Sequence, residues 1–261
     1  MLADYHMHTA FSDDSTYPME ECVKRAIEIS LEEICITEHI DYGVKTNLNC
    51  DLEAYSKEFA RCKELYGSQI TMRFGIEFGI QTDTVERFQQ DFDNYPFDFV
   101  IMSCHQVDNL EFWNNAYQEG KTQQEYQEKY YEEILKVIQK YHDYSVLGHL
   151  DMIKRYDRQG EYPFEKTKPI VEEILRTAIA DGKGIEVNTS SFRYNIGDLT
   201  PSRDILTLYK ELGGEIITIG SDSHEESHLG HKIKEVQGEL KKLGFRYIHT
   251  FDGMHPKAHL L

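Results

Sequence analysis

Short apolar runs alternate with longer amphipathic stretches along the whole chain, and this alternation restricts the possible folds more than any other feature. The short runs have the length of strands, and the longer stretches carry apolar residues every three or four positions, as helices do. The clearest helix opens with a capping box at Thr122 and Glu125. A series of such βα units is typical of a parallel sheet with helices packed against it.

The predicted strands span residues 2–5, 33–37, 71–77, 99–104, 144–148, 184–189 and 215–220, with 246–250 as a possible final strand. The predicted helices span residues 18–31, 52–66, 83–94, a stretch from 123, 164–180, a stretch from 200 to the glycines at 213 and 214, and 233–243. No repeat or low-complexity linker interrupts the series, so we predict one domain over residues 1–261. Seven or eight βα units favour a barrel, although an open doubly wound sheet has the same local pattern.

Histidines and carboxylates follow nearly every predicted strand. They are His6 and His8 after the first strand, His39 after the second, Glu77 at the end of the third, His105 after the fourth, His149 after the fifth, and Asp222 and His224 after the seventh. In a barrel the carboxyl ends of the strands meet at one face, so these side chains are expected to lie together. Imidazole and carboxylate suit zinc, iron and manganese. With Asp14 they make too many ligands for one ion, which predicts two or three divalent metal ions.

The alternative for each of these residues is an ordinary structural role, because a lone histidine after a strand is more often a loop hydrogen-bonder than a ligand. Their common position at one barrel end favours metal binding over that reading. The remaining histidines are expected at the surface or at helix ends, and they are His142, His228, His231, His249, His255 and His259. Of these, His228 is close enough to His224 in the chain to line the site.

The formal net charge of −18 disfavours binding to nucleic acid, because an acidic protein repels a phosphate backbone. No apolar run approaches the roughly 20 residues that cross a bilayer, and the first residues lack the features of a signal peptide. We therefore predict a cytoplasmic protein with a small-molecule partner, and leave its oligomeric state open. The five cysteines are scattered without a C-x-x-C pair, which disfavours disulfides, a cysteine zinc site and a catalytic thiol.

The metal-capable residues together resemble the successive motifs of the PHP (polymerase and histidinol phosphatase) family, from residue 2 to about residue 231. The matching motifs are Asp4-x-His6-x-His8-Thr9, Thr37-x-His39, Glu77, His105, His149 and Gly220-Ser-Asp222-x-His224. The segments 148–156 (GHLDMIKRY) and 186–194 (EVNTSSFRY) resemble the histidinol-phosphatase branch. This resemblance implies a distorted (β/α)7 barrel with a trinuclear metal site at the C-terminal ends of the strands.

The resemblance also implies how the ligands are shared. His6, His8, Glu77 and Asp222 would hold the first metal; Glu77, His105 and His149 the second; Asp14, His39 and His224 the third. Many family members have a histidine where Asp14 stands, which leaves the identity and occupancy of the third site open, and Asp13 is a neighbour that could be mistaken for it. The implied catalytic residues are Glu77, Asp222 and His224, and the implied reaction is attack on phosphorus by a metal-bridging hydroxide.

The histidinol-phosphatase branch implies hydrolysis of L-histidinol phosphate in histidine biosynthesis. Arg155 and Arg193 follow strand ends and are predicted to bind the phosphate, because a guanidinium matches its oxygens with two parallel hydrogen bonds. Ser103 and Ser223 are further candidates for hydroxyl contacts. Aromatic residues that could stack on the substrate are Phe112, Trp113, Phe192 and Tyr194.

Two other functions fit the same residues. The first is a PHP phosphoesterase that acts on other small phosphates, such as nucleotides or phosphotyrosine, and selectivity among phosphomonoesters distinguishes it. The second is a non-catalytic metal-binding module, which is disfavoured because the ligand set is complete. Loss of turnover on replacing Glu77 or His105 by alanine would exclude that second function.

Overall fold

Seven parallel strands form the central sheet of the computed structural model, which describes residues 1–261. In chain order they are β1 (Ala3–Asp4), β2 (Glu33–Ile40), β3 (Thr71–Gly79), β4 (Phe99–Ser103), β5 (Val146–Leu147), β6 (Gly184–Asn188) and β7 (Ile217–Gly220). Each strand pairs with the one that follows it, so the order in the sheet is the order in the chain. An open doubly wound sheet reverses its strand order at a switch point, and this sheet does not.

Backbone hydrogen bonds join the two edges of this sheet. The amide of Tyr5 donates to the carbonyl of Ile219 at 3.0 Å, and the amide of Asp222 donates to the carbonyl of His6 at 2.8 Å. The seven strands therefore form a nearly closed barrel, and the predicted distorted (β/α)7 fold is confirmed.

Helices cover the outside of the barrel. They are α1 (Met19–Glu28), α2 (Leu52–Tyr66), α3 (Val85–Asn94), α4 (Gln123–Ile138), α5 (Phe164–Ala180), α6 (Arg203–Glu211) and α7 (Ile233–Lys242), with 3-10 turns at Thr46–Leu48, Met152–Tyr156, Thr189–Phe192 and Glu226–His228. The capping box of Thr122 and Glu125 is present at the start of α4. The helix expected from residue 200 begins at Arg203, because the Ser202 side chain caps it. None of the helices has the length and apolar character needed to span a bilayer.

A C-terminal hairpin closes the amino-terminal end of the barrel. Its strands are β8 (Tyr247–Asp252) and β9 (His255–Leu260), which pair antiparallel with each other and not with the barrel sheet. The ring of Phe251 packs 5.0 Å from that of Phe99, and the Phe251 amide donates to the hydroxyl of Tyr5 at 2.7 Å. The possible final strand at residues 246–250 is present as β8, and its partner is β9, the segment that follows it, and not a strand of the barrel.

Candidate metal centre

The C-terminal face of the barrel gathers histidines and carboxylates from six of the seven strands and their loops. Four sets of three residues lie here, and within each set the three ligand atoms are within 4.8 Å of one another. The sets are His8–His39–His224, His6–His8–Asp222, His6–Glu77–His149 and His39–Glu77–His105. Asp14 adjoins these sets, with Oδ2 at 3.2 Å from Nε2 of His224 and 3.6 Å from Nε2 of His39. All nine predicted ligands therefore lie in one place, although they are up to 218 residues apart in the chain.

Glu77 lies at the middle of this cluster and is fully buried. Its Oε1 lies 2.8 Å from Nε2 of His149 and 3.2 Å from Nε2 of His105. Its Oε2 lies 3.1 Å from Nε2 of His6 and 3.0 Å from Nδ1 of His39. One carboxylate thus faces four imidazoles, because β3 ends where four strand ends converge.

The hydrogen bonds on the far side of the rings show which nitrogen carries the proton. Nδ1 of His6 lies 2.5 Å from a carboxylate oxygen of Glu186, and Nδ1 of His105 lies 2.8 Å from one of Asp41. An ionised carboxylate only accepts, so each Nδ1 donates, and in the neutral ring Nε2 is the nitrogen whose lone pair faces Glu77. Two acceptors at about 3 Å repel each other unless a proton or a metal ion lies between them, and this set of imidazole and carboxylate ligands fits a divalent metal centre.

His8 and His224 complete the cluster on its other side. Nε2 of His8 lies 3.0 Å from Nε2 of His6 and 3.6 Å from Oδ1 of Asp222. Nδ1 of His224 donates to the carbonyl of Asp222 at 3.1 Å, because a carbonyl only accepts. Nε2 of His224 faces Asp14, with Oδ2 of Asp14 at 3.2 Å.

Burial and neighbouring charge set the ionisation of the cluster. Burial together with the imidazoles of His39 and His224 lowers the pKa of His8, which keeps this ring neutral, the form that binds metals. Burial opposes ionisation of Glu77, yet the charge on His6 and other imidazoles holds its pKa well below the ordinary value. Burial also opposes charge on His105, but Asp41 and Glu77 raise its pKa to about 9. In the absence of metal, the protons on the imidazoles that face Glu77 therefore occupy positions suited to metal ions.

Asp14 and its neighbour Asp13 point to different partners. The imidazoles of His224 and His39 lower the pKa of Asp14 against the opposing effect of its burial. Oδ2 of Asp13 instead lies 3.2 Å from Nζ of Lys45, at the rim of the cleft. The structure therefore places Asp14, the sequence candidate, beside the imidazoles and Asp13 outside them.

A second layer of carboxylates behind the histidines was missed by the sequence analysis. Glu186 contacts His6 through one oxygen and accepts from the amide of His149 at 2.9 Å through the other. Asp41 holds His105, and Glu38 accepts from residues of the loop that follows β1. A signal was present, because Glu186 and Glu38 interrupt apolar strands, where a carboxylate is tolerated only with partners.

The two predicted phosphate-binding arginines have different environments. Both terminal nitrogens of Arg193 donate to backbone carbonyls, those of Ser221 at 2.8 Å and Asp222 at 2.7 Å. They support a loop in which Asp222 has a φ of 54°, in the left-handed region. Arg193 lines the cleft, but its terminal nitrogens bind the protein itself.

Arg155 also lines the cleft, and it makes fewer hydrogen bonds to the protein than Arg193 does. Its Nη2 donates to Oγ of Ser190 at 2.6 Å and lies 3.9 Å from Oδ2 of Asp222. Its guanidinium packs under the ring of Tyr194 at 4.0 Å, and its buried Nε has no hydrogen-bond partner. Arg155 is thus a cation held in a fixed position, and its Nε–H has no hydrogen-bond partner in the protein.

The predicted hydroxyl contacts lie below the cleft. Oγ of Ser103 donates to Glu77 at 2.7 Å, and Ser223 is fully buried. Neither lines the cleft, so the geometry places Ser103 as a support for Glu77.

A cleft of about 680 Å³ opens over the metal-capable residues. The other residues that line it are Val44, Lys45, Leu48, Gln106, Glu111, Phe112, Trp113, Met152, Tyr156, Tyr194 and His228. Of the predicted stacking residues, Phe112, Trp113 and Tyr194 therefore line the cleft, and Phe192 does not. Its size suits a small molecule.

The fold and the site define a class: (β/α)7 barrel proteins with a histidine- and carboxylate-rich metal centre at the C-terminal strand ends. A family profile described as "PHP domain" matches residues 4–190. The chain belongs to the PHP domain family.

Two relatives and one solved structure are similar to this chain over at least 90% of its length. The chain is 35% identical to a histidinol-phosphatase of Lactococcus lactis over 260 residues, covering 96% of this chain and 94% of the relative. It is 31% identical to a probable histidinol-phosphatase of Clostridium acetobutylicum, covering 90% and 91% of the two chains. The crystal structure of the Lactococcus lactis histidinol phosphate phosphatase, in complex with zinc, L-histidinol and phosphate, superimposes with a TM-score of 0.89 at 34% identity and covers 98% of both chains.

Proposed function

We propose that this protein is a metal-dependent histidinol-phosphatase, which hydrolyses L-histidinol phosphate to L-histidinol and inorganic phosphate. The observation that carries the proposal is the convergence of Nε2 of His6 and Nε2 of His105 on the buried carboxylate of Glu77 beneath a small-molecule cleft. The complex of the Lactococcus lactis relative with zinc, L-histidinol and phosphate supports the substrate.

Two or three divalent ions, zinc, iron or manganese, are the proposed cofactors. The proposed ligands are His6, His8, Asp14, His39, Glu77, His105, His149, Asp222 and His224. When bound, the ions would act as Lewis acids toward the phosphoryl oxygens and lower the pKa of water at the site. Glu77, Asp222 and His224, which line the cleft together with Asp14, His39, His105 and His149, are the proposed catalytic residues.

The protein's own residues position the reacting groups. Glu186 and Asp41 hold His6 and His105 in the tautomer whose Nε2 faces the centre. The guanidinium of Arg155 lines the cleft, donates to Ser190 through Nη2, and is the proposed phosphate contact. In the reaction, the oxygen of water bonds to phosphorus, the bond from phosphorus to the histidinol oxygen breaks, and that oxygen receives a proton.

Substrate selectivity tests the proposal. We expect kcat/KM of the metal-loaded protein for L-histidinol phosphate to exceed that for a nucleotide monophosphate and for p-nitrophenyl phosphate by roughly 10³, about 4 kcal/mol of discrimination. Similar low values for all three substrates would overturn the histidinol assignment and leave a less selective phosphoesterase. Undiminished turnover in Glu77→Ala would instead overturn the proposed site.

A further inference from the structure

Ser12 and Glu38 are buried polar residues behind the metal-capable imidazoles, and neither lines the cleft. Glu38 lies in β2 directly before His39, and no nitrogen of Lys, Arg or His lies within 4.0 Å of its carboxylate. The amide of Thr9 donates to both carboxylate oxygens at 3.1 Å, and the Thr9 hydroxyl donates to Oε1. The Ser12 hydroxyl donates to Oε2 at 2.5 Å. A buried carboxylate without a cation is tolerated only with such partners.

The side-chain oxygen of Ser12 joins this carboxylate to two of the proposed ligands. It accepts from the backbone amide of His39 at 3.1 Å and lies 3.2 Å from Nδ1 of His8. A hydroxyl has one hydrogen and two lone pairs, and here the hydrogen lies on the short contact with Glu38. One lone pair then accepts from the amide of His39 and the other from Nδ1–H of His8. In the neutral ring of His8, Nε2 therefore keeps its lone pair, and this nitrogen faces Oδ1 of Asp222 at 3.6 Å.

The same carboxylate anchors the loop that carries Asp14. Thr9 and Ser12 are both bound to Glu38, and the Ser12 amide donates to the carbonyl of Thr9 at 2.9 Å. The side chain of Asp14 is itself 45% exposed. Its position beside His224 therefore depends on the backbone of this loop more than on the packing of its own side chain.

We infer that Ser12 and Glu38 are positioning residues of the metal centre: Glu38 orients the Ser12 hydroxyl, and Ser12 holds the proton of His8 on Nδ1. We call this pair the Ser12–Glu38 relay. The inference rests on the proposed function, because it concerns the same metal centre. A partner that fixes the tautomer of a ligating imidazole also fixes the direction of the ring and raises its basicity.

Loss of the relay should affect some ligands and spare others. His8 and His39 contact Ser12 directly, and Asp14 lies on the loop that the relay anchors. Three proposed ligands of another ion make no hydrogen bond to either relay residue, and they are Glu77, His105 and His149. We therefore expect ions held by His8 or Asp14 to be lost before the ion held by these three residues.

The variant Ser12→Ala tests the inference, because it removes the acceptor for His8 from outside the cleft. In calorimetric titration of the metal-free protein with zinc, we expect at least one ion per chain to bind roughly 10- to 100-fold more weakly and at least one to bind as in wild type. Turnover should recover in excess zinc, since Ser12 does not reach the cleft. Thr16→Ala is the matched control, because Thr16 is exposed on the same loop. Unchanged affinities, or an equal loss at every ion, would overturn the inference.

A double variant distinguishes a relay from two independent supports. Glu38→Gln should weaken the same ions as Ser12→Ala, because an amide has one acceptor oxygen in place of two. Since Glu38 acts on His8 through Ser12, the loss in the double variant should be smaller than the product of the two single losses. A loss equal to that product would show that the two residues act separately.

The ring hydrogen of His8 gives a readout that is independent of metal titration and turnover. In ¹H–¹⁵N spectra of the zinc-loaded protein with labelled histidine, the His8 signals are those absent from His8→Gln. We expect a slowly exchanging hydrogen on Nδ1 in wild type and Thr16→Ala, and rapid exchange of that hydrogen in Ser12→Ala. A hydrogen on Nε2, or equal exchange in all three proteins, would contradict the role of Ser12.

The possible results separate this inference from the proposed function. If the wild-type protein binds zinc without preferring L-histidinol phosphate, the proposed function fails, and the zinc affinities and His8 spectra still decide the role of the relay. If the preference is present and Ser12→Ala binds zinc as wild type does, the relay fails and the proposed function stands. Failure of the wild-type protein to bind zinc would overturn both.

Discussion

Oε1 of Glu186 lies 2.5 Å from Nδ1 of His6, so a carboxylate from β6 determines the tautomer of an imidazole that follows β1. The other oxygen of Glu186 accepts from the amide of His149, whose φ of 21° is unusual for a residue other than glycine. Gly220 passes directly beside this contact, and a Cβ there would collide with both His6 and Glu186. Three strands of the barrel thus depend on one buried carboxylate.

Replacing Glu186 should weaken metal binding without unfolding the protein. In Glu186→Gln we expect metal affinity to fall roughly 10- to 100-fold, because the amide neither fixes the His6 tautomer nor increases its basicity as a carboxylate does. Calorimetric titration of the metal-free protein measures this. Glu173→Gln, on the exposed side of α5, is the control, and equal affinities in the two variants would contradict the role of Glu186.

Replacing Arg155 and replacing Arg193 should impair the protein in different ways. Arg155→Met should raise the inhibition constant of inorganic phosphate and lower kcat/KM up to about 100-fold, because a buried cation with a free donor is lost. Arg193→Met should chiefly reduce metal retention, because its terminal nitrogens support the backbone at Asp222. Metal content by elemental analysis and phosphate inhibition separate the two effects. Identical profiles for the two variants would refute this division.

Removal of metal should destabilise the fold. Although burial opposes its ionisation, the surrounding imidazoles leave Glu77 ionised in the interior, and without a metal ion only protons balance it. Binding at 100 to 1,000 times the dissociation constant contributes about 2.7–4.1 kcal/mol. We therefore expect a chelator to lower Tm by roughly 5–15 °C, measured by calorimetry, and added zinc or manganese to restore it. A chelator already saturated with metal is the control. An unchanged Tm would argue against metal in the native protein.

Acid should destabilise the C-terminal hairpin through His249. Nδ1 of His249 accepts from the amide of Ile217 at 3.3 Å, and burial, with a smaller effect of His259, lowers its pKa below 6.5. The unfolded chain then binds the proton first, so stability declines as the pH falls below 6.5. His249→Asn keeps an acceptor and cannot titrate.

The matched measurement for this prediction is urea unfolding of both proteins, metal-saturated, at pH 7.5 and pH 5.5. The wild-type protein should lose more free energy of unfolding than His249→Asn between the two conditions. Parallel losses would show that His249 does not contribute to the pH dependence.

The positions of the strands and of the candidate ligands could be predicted from local sequence. Periodicity separates strand from helix within a few residues, and parallel strands in a barrel bring their carboxyl ends to one face. His105 and His149 could therefore be placed near Glu77 before any contact was known. The same rule predicted the position of Asp222, which closes the ring of strands against His6.

Tertiary structure alone decided how these groups are paired. The contact of Glu186 with His6 joins residues 180 positions apart, and no local pattern specifies it. The binding of Arg193 to backbone carbonyls and the separation of Asp14 from Asp13 likewise depend on the paths of distant loops. Periodicity reports only which face of an element is buried. The partners of a buried charge follow from the packing of the whole barrel. Burying a charge costs free energy unless hydrogen-bonding groups lie beside it, and the whole fold determines where those groups lie.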